Sequence, residues 1–325
     1  MSRLKSRSSG CREDVKPRGK PDSARINSDA RLRAAEPAEA DAIQAVWESS
    51  YAEDDPASWS RGGWGVAAWA TDTRVLAQGG RILGVVAVRA EPAPDGAMPA
   101  RLALDLAARQ PQHAAALVSG AIECVAAAGG KLVRLFVPSR AAWMREAAER
   151  AGFASVRTVA HMLMPASVPT PTGSLPPELR LRSIYDGEDQ RVLDALNRNW
   201  AGTWNFVEIT FDMLREDLDG QREGMLLAVD ADDRIVATCH AVYEPTEQNP
   251  DGNPRAWISN VTVDPSFRKR GVARAMLAAG IAHLRARGAS SITLGVDAND
   301  PAPFRLYTSV GFEVVTSQEA WDKTL

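Results

Sequence analysis

The sequence lacks any apolar run approaching the roughly 20 residues that a bilayer-spanning helix needs, so no membrane is expected as a partner. It is also poor in cysteine. Cys11, Cys124 and Cys239 are far apart and share no metal-ligand spacing, and the histidines at 113, 161, 240 and 283 form no cluster, so no metal is expected. Cys124 falls in an apolar helix-like run and Cys239 in a strand-like one, which reads as two buried structural thiols. An odd cysteine count without an export signal fits a reducing cytoplasm. A surplus of one charge is missing too. The net charge is −3, a field too weak to predict DNA, RNA or an anionic membrane as ligand. The start, MSRLKSRSSGCREDVKPRGKPDSAR, has no apolar core and is no secretory signal. Mixed charge and few groups to bury predict a disordered tail over residues 1–28, and Glu13, Asp14 and Asp22 argue against a transit peptide.

What is present suits a soluble globular chain. At 325 residues, with 45% hydrophobic and 24% charged residues, it is long for one domain and comfortable for two. The stretch PASVPTPTGSLPPE, rich in Pro, Ser and Thr, reads as a semi-extended linker over 166–178. It separates a domain at 29–165 from one at 179–325.

The two parts repeat one pattern. Each opens on a short apolar strand (RLRAA, LRLRSI) and continues into a helix with a tryptophan nearby, Trp47 or Trp200. A hairpin follows, RVLAQ-GG-RILGVVAVRA or MLLAVD-ADD-RIVATCHAVYE. Next comes an Ala-rich helix ending in Gly and a short strand. A last helix runs into Gly-Phe and one more strand, AAERAGFASV or RLYTSVGFEVV. A repeat of this length predicts an α/β fold of two duplicated domains rather than a solenoid.

One junction carries chemistry. WISNVTV at 257–263 reads as a strand and Gly271 to Arg287 as a helix with Val272, Met276, Ile281 and Leu284 near one face. Between them stand Arg268, Lys269 and Arg270. A helix start has unsatisfied N–H groups and partial positive charge, so cations there oppose the macrodipole unless an anion binds. The junction is therefore an anion cradle suited to a diphosphate. Gly271 lets the guest approach the backbone, and Ala273 keeps the first turn small.

Arg268-Lys269-Arg270-Gly271-Val272-Ala273 matches the R/Q-x-x-G-x-G/A loop of the GNAT superfamily of N-acetyltransferases, which the C-terminal part resembles. Asn299, Leu306-Tyr307 and Gly311-Phe312 match its later signature, and the tandem layout looks like that of the mycothiol synthases. The resemblance rests on motifs over 179–318 and on element order alone over 31–165. It implies a mixed sheet splayed at its middle, with acetyl-CoA as donor wedged in the splay. It also implies that Val261, Thr262 and Val263 hold the acetyl and pantetheine through their backbone. Residues 268–274, Val272 and Arg274 included, hold the diphosphate, Asn299 contacts the pantetheine, and Tyr307 is the general acid facing the sulfur. Tyr307 also reads as a core aromatic, and Asn299 as a turn residue.

One expected group is missing. Trp257 stands where many family members carry a glutamate that takes the amine proton. Either another carboxylate serves, with Glu208, Asp212 and Glu244 as candidates, or the amine arrives neutral. Trp200, Trp204 and Phe206 lie where the family builds its acceptor wall, and read as wall or as core. The first part has lost the site. LDLAARQPQHAAALV at 104–118 has no glycine, Pro111 deletes a donor, Arg109 is the one fixed positive charge, and Ala148 precedes Gly152-Phe153 where the tyrosine belongs. The expected function is acetyl-CoA-dependent N-acetylation of a primary amine, in a small metabolite or a peptide, by the C-terminal domain. Mycothiol synthase proper and a non-catalytic acyl-CoA sensor are the other readings.

Overall fold

The computed structural model describes residues 30–55, 73–89, 91–204 and 206–325; the tail expected over 1–28 lies outside them. The N-terminal half has strands β1 (Arg31–Ala34), β2 (Thr73–Gln78), β3 (Arg81–Val88), β4 (Ala97–Leu104), β5 (Leu132–Pro138) and β6 (Ala154–Met164). Its helices are α1 (Ala40–Asp54), α2 (Pro111–Ala127) and α3 (Ala142–Arg150). The C-terminal half has β7 (Arg180–Ser183), β8 (Met225–Val229), β9 (Ile235–Gln248), β10 (Pro254–Val263), β11 (Ile292–Asp297) and β12 (Glu313–Thr324). Its helices are α4 (Asp189–Trp200), α5 (Phe211–Leu218), α6 (Val272–Ala286) and α7 (Pro301–Ser309). No described helix is long and apolar enough to cross a membrane.

The duplication is visible in side chains. Arg33 donates both terminal nitrogens to Glu39, at 2.8 and 2.5 Å, while Glu39 accepts the Glu36 amide at 2.9 Å. Arg182 does the same to Glu188, at 2.6 and 2.8 Å, and Glu188 accepts the Tyr185 amide at 2.8 Å. Each pair pins the first strand of its half to the entry of the following helix.

All twelve strands form one sheet, in the order β1-β2-β3-β4-β5-β12-β6-β11-β10-β9-β8-β7. Shifting every label by six and reversing the order returns the same string, so a pseudo-twofold axis passes between β12 and β6. The mixed sheets expected for the two halves are thus joined edge to edge. Each half sends its last strand across the axis: β6 pairs with β11, β12 with β5, and the two with each other. On one face lie α2 and α3 of the first half and α6 of the second, over cores built on Leu102, Leu117 and Leu135 and on Met276, Ile281 and Leu294. The other face carries α1, over Val75 and Val85, and α4 with α5, over Leu227 and Val229. Cys239 is buried under α6, so close that its Sγ lies 2.6 Å from where a Cβ on Gly280 would stand. Cys124 on α2 is half-buried rather than buried.

The halves differ where the sheet splays. In the first, parallel β4 and β5 pair from Ala97↔Leu132 to Ala100↔Leu135. In the second, β10 meets β11 only at Trp257↔Thr293. The cause is one extra residue. Opposite β9, Ile258 pairs with Ala241 and Asn260 with His240, leaving Ser259 as a bulge, whereas β3 and β4 stay in regular register from Gly84↔Leu104 to Val88↔Ala100. A bulge increases twist and bends its strand, so β10 turns away from β11 from this residue onward.

Candidate active site

Beyond the bulge, Val261, Thr262 and Val263 pair with Cys239, Thr238 and Ala237 of β9 on one side and have no β11 partner on the other. Their second edge faces the splay. Thr262 belongs to a polar chain that fixes the strand: Asn199 Nδ2 donates to Thr262 Oγ1 at 3.0 Å, which is 2.8 Å from Thr238 Oγ1, which donates to Asn260 Oδ1 at 3.0 Å.

The strand leads into the cradle. Asp264 caps a 3-10 turn over Pro265–Phe267 by accepting the Ser266 amide. Lys269 and Gly271 then adopt φ of 61° and 81°. Two left-handed residues so close turn successive amides toward one side, the concave arrangement that binds anions. Gly271 caps α6 without a side-chain bond, and the first bond into the helix runs from the Ala275 amide to the Gly271 carbonyl. The amides of Val272, Ala273 and Arg274 precede it and stay open.

The four basic side chains divide. Arg268 donates to the carbonyls of Val263 and Asn199, both at 3.1 Å, and so braces the loop against β10 and α4. Arg270 is paired with Glu178 at the end of the linker and lies over the Phe267 ring. Arg274 donates to Ser309 on α7 at 3.0 Å. Lys269 is exposed and has no ion-pair partner among the described residues.

Tyr307 stands on α7, buried in the core with Cys239 and Ile258, its ring edge-on to Phe312 at 6.1 Å. Burial pushes its hydroxyl well above the ordinary phenol range, and Cys239 nearby adds to the shift. Asn299 is exposed in the loop between β11 and α7, where its Oδ1 accepts the Thr158 amide of β6 at 2.8 Å. That contact, invisible in the local sequence, leaves its Nδ2 as the group with which to meet a ligand.

The carboxylates named as base candidates are not equivalent. Glu208 and Asp212 are exposed on the segment entering α5 and on its first turn. Glu244 on β9 lies 3.5 Å from Arg255, and burial raises its carboxyl against the opposing pull of that cation. On α5, Asp217 is solvent-accessible yet crowded enough that desolvation pushes its carboxyl up, with Glu216 adding repulsion. Trp257 is half-buried with the Arg255 guanidinium 4.1 Å above its ring.

The aromatic segment splits two ways. Trp200 packs against the α4–α5 core and stacks on Phe206 at 6.3 Å. Trp204 reaches across to the N-terminal half, with Arg134 and Arg157 at 4.9 and 5.1 Å from its ring.

In the N-terminal half the matching loop has collapsed. Arg109 corresponds to Arg268, each standing just past the 3-10 turn that Asp105 or Asp264 caps. Pro111 then seeds α2 at once where Arg270 and Gly271 delay α6. Arg109 is held by Asp54 at 2.7 Å and lies over Trp143, and Asp54 also accepts from Trp143 and Ser50. Ala148 is fully buried where Tyr307 stands in the other half.

Comparison with known proteins agrees with this geometry. Residues 190–312 match the acetyltransferase (GNAT) family. The chain is 33% identical over 190 residues to the mycothiol acetyltransferase of Thermobispora bispora, covering 57% of this chain and 63% of that one. It is 32% identical over 180 residues to that of Saccharomonospora viridis, covering 52% and 57%. The chain thus spans less than two thirds of the length of these relatives. Among solved structures, a GCN5-related N-acetyltransferase from Sphaerobacter thermophilus superposes with a TM-score of 0.70 at 20% identity, covering 90% of this chain and 95% of that one. A tandem GNAT protein from the clavulanic acid biosynthesis pathway gives 0.64 at 15% identity, covering 91% and 98%. The chain thus matches the acetyltransferase (GNAT) family over residues 190–312, has the fold of tandem GNAT proteins and is similar to mycothiol acetyltransferases.

Proposed function

We propose that this protein is an N-acetyltransferase that binds acetyl-CoA in the C-terminal half and transfers the acetyl group to a primary amine of a small metabolite or peptide. The observation that carries this reading is the asymmetry of the duplication. A bulged strand, an open splay and a cradle of turned amides occur together in one half, and the other half closes the corresponding loop with Pro111, Asp54 and Arg109. The domain at 29–165 is the degenerate copy, the one at 179–325 the working copy, and the segment between them a linker.

Acetyl-CoA supplies a thioester, whose carbonyl carbon is open to an amine and whose sulfur leaves. The residues fit such a donor. The open amides of residues 272–274, with Lys269, face its diphosphate, and the free edge of Val261 to Val263 offers backbone partners along its arm. Asn299 Nδ2 stands free to meet the same arm. The acetyl carbonyl needs hydrogen-bond donors as charge builds on its oxygen, and amides on the unpaired edge of β10 beyond Ser259 are the nearest supply. Tyr307 Oη gives its proton to the departing sulfur. Burial has raised the phenol, so the proton is present at neutral pH, and the same desolvated surroundings disfavour a free thiolate.

The acceptor is the finer question. Similarity to mycothiol acetyltransferases favours a cysteinyl pseudodisaccharide amine as the second reading. Trp257 at the strand position of the usual base favours, as a third, a protein that binds acyl-CoA without turnover. The deciding experiment is a panel of primary amines, cysteinyl-glucosaminyl-inositol included, assayed with acetyl-CoA by thiol release. Acceptor-dependent release supports transfer and names the amine. Tight acetyl-CoA binding without release from any amine overturns the enzyme reading.

A further inference from the structure

The N-terminal half, having lost its own cradle, still touches both loops that flank the splay of the other half. On the cofactor side, β6 grips the last residue of β11 and the segment that follows it at three points. Arg157 Nε donates to Asp297 Oδ2 at 2.8 Å, the Thr158 amide to Asn299 Oδ1 at 2.8 Å, and the Ala298 amide to the Thr158 carbonyl at 2.9 Å. This segment carries Asn299 and leads directly into α7 and Tyr307.

On its other side, the same Arg157 lies over the ring of Trp204, in the connection from α4 to α5. Arg134 of β5 lies over that ring too. Arg134 is paired with Asp322 and Arg157 with Ala320, two residues apart on β12, so both guanidiniums rise from one face of the sheet on either side of that strand. Trp204 is held over β12 between them. Arg134 is itself immobilised, donating to Asp322 at 2.8 and 2.7 Å and to Asp95 at 2.8 Å. Arg157 is different. Its carboxylate partner Asp297 ends β11 and accepts the Asn299 amide at 2.9 Å, so a shift of the loop at Asn299 is passed through that carboxylate to the guanidinium that faces Trp204.

We propose that Arg157 is a positioning residue that couples occupancy of the acetyl-CoA site to the placement of Trp204 and the connection between α4 and α5 that carries it. The inference rests on the C-terminal cradle being the acetyl-CoA site. Acetyl-CoA engages the arm-binding segment at Asn299 and fixes Asp297, which fixes the guanidinium and with it the indole. The connection between α4 and α5 is then held in place only when donor is present. A guanidinium suits this task because its plane stacks on the ring while its Nε holds the carboxylate; a lysine ammonium keeps the charge but cannot do both. The N-terminal half thus keeps a task after losing its ligand.

The test uses the full chain, with acetyl-CoA as the only ligand. Calorimetry gives acetyl-CoA affinity, and hydrogen-exchange mass spectrometry follows residues 201–208 and 297–300 with and without it. In the wild-type protein acetyl-CoA slows exchange in both segments, by at least about fivefold in 201–208, the low end of ordinary coupling between sites. Arg157→Met keeps acetyl-CoA affinity within about twofold and loses the protection of 201–208. Arg157→Lys, the milder variant should Arg157→Met not fold, keeps protection at 297–300 and loses it at 201–208. Protection of 201–208 that survives in either variant overturns the proposal, as does a wild-type protein whose 201–208 segment ignores acetyl-CoA while binding it. A wild-type protein that fails to bind acetyl-CoA refutes the cradle instead.

Discussion

Gly271 offers the most direct way to test the cradle, because the structure separates two effects of replacing it. Its φ of 81° lies in the left-handed region, and a Cβ built there meets nothing within 4 Å. A side chain therefore clashes with no neighbour. Its penalty is backbone strain, about 1 kcal/mol for a non-glycine residue held left-handed. In Gly271→Ala the free loop relaxes away from that conformation and must be driven back on binding, which weakens acetyl-CoA by about fivefold. Gly271→Glu carries the same strain and adds a carboxylate beside the diphosphate. At about 5 Å, and a dielectric between water's and that near a protein surface, this repulsion is worth about 1–3 kcal/mol. The sum, about 2–4 kcal/mol, raises Kd by roughly 30- to 800-fold. Isothermal titration of acetyl-CoA into the three proteins at low and high salt measures both parts. The gap between Ala and Glu should narrow as salt screens the charge, while the gap between Gly and Ala should not. Glu binding as tightly as Ala removes the anion from the argument, and wild-type affinity in both removes the cradle.

Tyr307→Phe should lower kcat by about 10- to 100-fold while acetyl-CoA affinity stays nearly unchanged, and a full kcat would return Tyr307 to the core. Acetyl-CoA should saturate at one equivalent per chain, and Arg109→Met should lower the melting temperature by stranding buried Asp54 without altering that stoichiometry; two equivalents would revive the N-terminal half as a site. If the amine arrives neutral, kcat/KM should rise with pH to the amine's own pKa. A limb near pH 6–7 that vanishes on replacing Glu208, Asp212 or Glu244 would name the base instead. Burial holds His161 and His240 at about 4, below the unfolded value of about 6.5, so the folded state binds fewer protons across that window. Stability is then full above about pH 6.5 and falls as pH drops toward 4, by up to about 1.4 kcal/mol per pH unit for each histidine. His240→Leu should flatten the urea midpoint against pH, and an unchanged slope would discount it.

Much of this molecule could be read from residues near one another in the chain. The hairpin at Gly79-Gly80, the helix after Gly271 and the Gly-Phe entries to β6 and β12 all rest on local patterning, and a positive φ at Gly271 is what a glycine between cations and a helix suggests. The crossing of β6 and β12 could not be read. RLYTSVGFEVV alternates in the same way whichever strand lies beside it, and the choice of neighbour is made by residues more than a hundred positions away. The Ser259 bulge is a single inserted residue within ISNVTV, which still reads as an unbroken strand. Arg268 seemed one cation among three, yet its partners are the carbonyls of Val263 and Asn199. Trp204 was ambiguous because an aromatic in a half-apolar segment looks alike in a core or at a seam. Only the approach of Arg134 and Arg157 from the other half tells the two apart.

The exchanged strands also govern when the protein can finish folding during synthesis. β5 ends at Pro138 and β6 begins at Ala154, but the strand that belongs between them runs from Glu313 to Thr324. While the intervening residues are being made, both strands hold an open edge at what will become the middle of the sheet, and contacts this distant form slowly. A nascent chain halted before Glu313 would carry two such edges with no native partner, a form prone to pair with a second copy. The burden on the cell's chaperones should therefore fall on incomplete chains more than on the finished protein.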